Sequence, residues 1–131
     1  MTLRIAFSLI IVLILTACTG DGDVKAAFKP QVWRQIQISL ESRPAPMRPG
    51  MNELLVIATG PRGLPVSELV VSMRMDDHEP WRQAIQDGGS GVFRRAVQMN
   101  PGDTKVFVRL LLRSKDKAEP VTMLVFPIPS H

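Results

Sequence analysis

The sequence predicts an all-β fold, a sandwich of about seven antiparallel strands. Three observations carry this expectation. From Val32 onward apolar residues recur at every second position, the period of half-buried strands. Gly, Pro, Asn and Asp clusters punctuate the runs at short intervals. No segment of this stretch combines a 3.6-residue apolar period with a capped start, so no helix competes.

The elements follow in order. Val32, Arg34, Ile36, Ile38 and Leu40 share one face of a first strand. Pro44 to Gly50 separates it from a second, in which Leu54, Val56 and Ala58 alternate with Leu55, Ile57 and Thr59. Both faces of that strand are apolar, which predicts a central position. Gly60-Pro61-Arg62-Gly63 turns the chain into a third strand with Leu69, Val71, Met73 and Met75 on one face. Pro80 opens a short fourth strand around Trp81, Gln83 and Ile85. Asp87 to Gly91 leads into a fifth, Val92 to Met99, and Asn100-Pro101-Gly102-Asp103 fits a type I or II turn after it. Val106, Val108, Leu110 and Leu112 line one face of a sixth, and Val121 to Phe126 forms the seventh. This spacing suggests an immunoglobulin-like arrangement.

The N-terminus reads differently. Arg4 precedes an apolar run from Ile5 to Leu15, broken only by Ser8 and well short of the ~20 residues that span a bilayer. Leu15-Thr16-Ala17-Cys18 ends it and resembles the lipobox of bacterial lipoproteins, in which the Cys is acylated and becomes the new N-terminus. The chain holds one cysteine, and it stands at this position. Residues 1–17 are therefore expected to be a cleaved signal-peptide helix, 18–31 a lipidated tether and 32–131 the sandwich domain. Lipidation of Cys18 would anchor the protein to the membrane on its periplasmic face. Thr19, where Asp would retain an enterobacterial lipoprotein in the inner membrane, points to the outer membrane.

Composition excludes several function classes. With Cys18 acylated no thiol remains for disulfides, redox chemistry or thiolate metal sites. The chain has no tyrosine and only Trp33 and Trp81, too few for a stacked carbohydrate platform. Its net charge of +4 is spread over residues such as Arg94, Arg95, Lys105, Arg109, Arg113, Lys115 and Lys117. That dispersion reads as an ordinary solvated surface and predicts no nucleic-acid partner.

A further series of residues carries a resemblance. It comprises Arg48-Pro49-Gly50-Met51-Asn52-Glu53-Leu54, Gly63-Leu64-Pro65-Val66, Met73-Arg74-Met75 with His78, Gly88 to Ala96, and Pro101-Gly102-Asp103. Together, over Val32 to Pro127, these are similar to the YtkA-like/FixH family of envelope β-sandwich domains. Phe93 stands where that family usually has Tyr, and Thr104-Lys105-Val106 where a Trp often stands. The resemblance implies the sandwich fold; the family's role in oxidase maturation is not carried over.

No Ser, His and carboxylate are placed as a triad by the sequence, and Asp76, Asp77 and Glu79 crowd one loop instead of flanking a substrate site. The expectation is a protein that is not an enzyme. Met73, Met75 and His78 are candidate metal ligands, because thioethers with imidazole select Cu(I). The competing reading places both methionines in the core and His78 in solvent. Met47, Met51 and Trp81 are candidate contacts for a partner. The function expected is a non-enzymatic interaction or assembly module docking on an unidentified envelope protein, with copper handling as the alternative.

Overall fold

The computed structural model of the chain describes residues 27–115 and 120–130. The cleavage site and Cys18 lie outside the described residues. The described residues form the strands β1 (Gln31–Trp33), β2 (Ile36–Arg43), β3 (Gly50–Thr59), β4 (Leu69–Arg74), β5 (Arg82–Gln83), β6 (Ile85–Gln86), β7 (Val92–Met99), β8 (Lys105–Leu112) and β9 (Val121–Pro127). All pairings are antiparallel, in two sheets ordered β1-β2-β3-β7-β6 and β5-β4-β8-β9. From β2 onward these orders are the ABED and CFG orders of an immunoglobulin-type sandwich, with β5 added beside β4. The expected fold class is therefore present, and β3 is central as its two apolar faces required.

The inner faces supply the core. Ile38, Leu54, Val56, Val71, Met73, Val106, Val108, Leu110 and Phe126 are all closed off from solvent. Leu55, on the opposite face of β3, is also buried. With no disulfide or Tyr available, the sheets are held by aliphatic, methionine and phenylalanine packing. Phe28 also belongs to the core, set edge-on against Phe126 with ring centroids 6.4 Å apart. The segment expected to be a tether up to residue 31 thus joins the domain earlier, because Phe28 is apolar enough to be buried.

Two expected strands break where the chain must change direction. The first is a hairpin: Trp33 pairs with Ile36 across Arg34 and Gln35, whose φ values are 50° and 64°. Two successive positive φ values in a two-residue loop make a type I′ turn. Val32 consequently leaves the shared face and is 71% exposed. The short fourth strand is a crossover. Arg82–Gln83 pairs with β4, and three residues on Ile85–Gln86 pairs with β7 in the other sheet. Ala84 lies between them, buried, with its N–H donating to the Val71 carbonyl at 2.8 Å.

Turn chemistry fixes the remaining corners. Gly102 has φ +95°, and the Asp103 N–H donates to the Asn100 carbonyl at 3.1 Å, which makes this a type II turn with Pro101 at its second position. Before β3, buried Asn52 braces residues 48–50: its amide donates to the carbonyls of Arg48 (2.8 Å) and Gly50 (3.0 Å), and its Oδ1 accepts the Arg48 N–H at 3.2 Å.

Candidate functional site

The structure separates the residues proposed as copper ligands. Met73 faces the core from β4, opposite Val108, and is fully buried. Met75 is 4% exposed and continues the same buried row. His78 is exposed on the turn that follows, where its N–H donates to the Asp76 carboxylate at 2.8 Å. Met75 and His78 border one open depression of about 320 Å³ with Asp76, Asp77 and Asp103, and Met73 does not. Among the described residues no three His, Cys, Asp or Glu side chains are grouped to hold an ion. Alternation along β4 places these methionines inward, so packing accounts for them.

The three candidate contacts also part company. Met47 is 1% exposed, so it is a core residue and not a surface contact. Met51 is 62% exposed on the outer face of the five-stranded sheet. Trp81 is half-buried on the outer side of the other sheet, between two guanidinium groups.

Met51 borders a groove of about 690 Å³ along β7, whose other walls are Glu53, Arg82, Ile85, Asp87, Arg94, Arg95 and Ala96. Its position follows from the crossover. β7 pairs with β3 along its whole length but meets β6 only at Phe93 and Arg94. From Arg95 to Met99 no strand among the described residues covers that edge. The Asp87 N–H donates to the Val92 carbonyl at 2.8 Å, which fixes the parity of the strand. Residues 94, 96 and 98 therefore aim their backbone groups the same way, and those of Ala96 and Gln98 face open space beside the groove.

Charge organises the groove floor. Arg94 Nε donates to the Asp87 carboxylate at 2.7 Å, a second guanidinium nitrogen makes a further bond to the same oxygen, and Glu53 lies at 3.6 Å. The hydrogen bond and charge of Asp87, joined by Glu53, hold the Arg94 pKa above its already high value. Both acids of the groove are thus engaged by one cation. The Arg95 guanidinium donates to the Gln83 carbonyl at 3.5 Å. Two apolar side chains flank this polar floor, Met51 and the 70%-exposed Ile85. Sequence reasoning found Met51 but missed Ile85, Arg82 and Arg95, since only the crossover brings them to one edge.

The outer face of the four-stranded sheet is built differently. Arg74 stacks over Trp81 at 4.3 Å and Arg109 at 4.8 Å, measured to the ring centroid. Arg74 is held in place by Asp77, whose carboxylate accepts at 3.2 Å and whose carbonyl accepts at 3.1 Å. Val121 and Met123 on β9 are 56% and 48% exposed beside this cluster.

Compared with protein-family models, with curated proteins and with solved structures, the chain shows no match.

Proposed function

We propose that this protein is a non-enzymatic interaction module of the cell envelope, lipid-anchored through Cys18 at the periplasmic face of a membrane, preferentially the outer one. Its docking site is the groove along β7, where an extended segment of an envelope partner adds to the sheet beyond β6. One observation carries the reading: an uncovered strand edge at Ala96 and Gln98 coincides with a groove flanked by exposed Met51 and Ile85. Uncovered edges are usually shielded, and one bordered by apolar side chains suits strand addition. The lipobox-like residues support the anchor, and the motifs that resemble the YtkA-like/FixH family suit an envelope setting.

Copper handling is not favoured, because Met73 lies in the core and away from His78. The test is a photo-crosslinking residue placed in intact cells at Met51 or Ile85, with exposed Val32 as the control position. A discrete protein adduct at the groove positions and none at Val32 is expected. Equal labelling at all three would refute the site. Fatty-acid labelling of the wild type and of Cys18→Ser tests the anchor independently.

A further inference from the structure

We propose that the outer face of the four-stranded sheet rests on anionic phospholipid headgroups, with Trp81 at the lipid–water boundary. This rests on the lipid-anchor reading of Cys18. Four observations on the domain itself carry it.

The first is composition. The strands of this sheet read LVVSMR, RQ, KVFVRLLL and VTMLVFP, without one Asp or Glu. The other sheet carries Glu41 and Glu53. The second is the outward row. Alternation sends Arg109, Leu111 and Arg113 out from β8 and its continuation, beside Val121 and Met123 of β9. Exposed Lys115 follows. The acids Asp76, Asp77 and Asp103 gather at the far end of the sheet, around the depression that Lys105 borders. Arg113, Lys115 and the exposed aliphatic side chains therefore share one end of the face, where the exposed Glu68 stands opposite Arg113 among the described residues.

The third observation is the ring between Arg74 and Arg109, 4.3 Å and 4.8 Å from its centroid. An indole with an apolar body and adjacent cations matches the headgroup layer, where Trp is enriched and guanidinium meets phosphate. The fourth is the entry of the chain. Phe28 packs on Phe126 of β9, and Gln31 Nε2 donates to the Val125 carbonyl at 2.7 Å. The segment leading from Cys18 thus reaches the domain at the β9 edge of this same sheet. Fully extended, it covers on the order of 35 Å.

A tether of that reach makes the face–membrane contact intramolecular, so weak contacts suffice. Each Lys or Arg brought to an anionic surface adds roughly fivefold to the bound fraction's equilibrium. Arg109, Arg113 and Lys115, less the opposing charge of Glu68, would hold the docked orientation over the free one by about twenty-five-fold at low salt, less as ions screen them.

The full lipoprotein, with Trp33→Phe leaving Trp81 as its one indole, tests this in vesicles. Phosphatidylcholine vesicles with and without phosphatidylglycerol are compared, each carrying acyl chains brominated near the headgroup. Co-flotation reads the anchor, and quenching of Trp81 emission reads the face. The expected result is quenching in the anionic vesicles, weakened in pure phosphatidylcholine and by high salt. Met123→Glu with Lys115→Glu, both at exposed positions, should abolish it without changing co-flotation. If Trp33→Phe does not fold, the same quantity is the difference between the wild type and Trp81→Phe. A protein that co-floats while Trp81 stays unquenched overturns the proposal, keeps the anchor and leaves the face to a protein partner. A protein that does not co-float overturns the anchor and the proposal with it.

Discussion

Gly91 is where the fold is least tolerant of an added carbon, and the cost can be worked out from its surroundings. It directly precedes β7 with φ +71°, and a Cβ there would stand 2.7 Å from the Ala58 carbonyl oxygen and 3.1 Å from both Pro65 Cβ and Val66 N. The obstacles are mostly backbone, so they cannot rotate away. The Gly91 carbonyl accepts the Ala58 N–H at 2.8 Å, and the Ala58 carbonyl accepts the Val66 N–H at 3.0 Å. Moving the strands apart to relieve the clash weakens both bonds, at about 1 kcal/mol each. The left-handed backbone adds about 1–2 kcal/mol for any L side chain. Gly91→Ala should therefore cost about 3–4 kcal/mol. Gly102→Ala is the control, since Gly102 also has positive φ (+95°) but nothing within 4 Å of its would-be Cβ. It should lose about 1 kcal/mol. Both variants gain similarly from a stiffer unfolded chain, so that term cancels in the comparison. Urea unfolding of the two variants, with unchanged m-values, measures the difference as a shift in midpoint. Equal losses would refute the argument that close approach, and not φ alone, demands glycine at 91.

Other outcomes follow from the same packing. Asn52→Ala removes three hydrogen bonds from the 48–50 turn and should cost about 2 kcal/mol in denaturant unfolding. Met73→Ala should cost about 3 kcal/mol and Met73→Leu under about 1.5 kcal/mol. With His78→Ala added to Met73→Leu and Met75→Leu, Cu(I) titration should give unchanged stoichiometry and affinity. Replacing Arg34-Gln35 by Asn-Gly relieves two left-handed residues in a type I′ loop and should raise stability by about 1 kcal/mol, read as a higher Tm.

Much of the sandwich is legible in the chain. Period-two runs mark β4, β7, β8 and β9 because each buries mainly one face, β3 stands out by being apolar on both, and β7 runs from Val92 to Met99 as the spacing predicts. The exceptions are places where alternation continues through a change of direction. Val32 and Arg34 keep the period of β2, yet nothing in their composition announces a turn that uses neither Gly nor Asn. Trp81, Gln83 and Ile85 alternate like one strand, while the chain passes between sheets at Ala84, a residue small enough to be buried at the crossing. The sites were less legible for a related reason. Met47, Met73 and Met75 looked alike as ligands or contacts, and only burial distinguishes them from Met51. The cations appeared dispersed along the sequence because strands far apart in the chain bring Arg74 and Arg109 to a single ring.

The crossing at Ala84 also ties two surfaces to one short lever. Trp81 stands on the outer side of one sheet, and four residues later Ile85 stands on the outer side of the other. Between them the chain is pinned by the Ala84 N–H to Val71 and has little freedom to pivot. The two side chains are therefore held in a fixed relation by a few residues of paired backbone. Anything that meets one of these surfaces finds the other already oriented by the fold, on the opposite side of the domain.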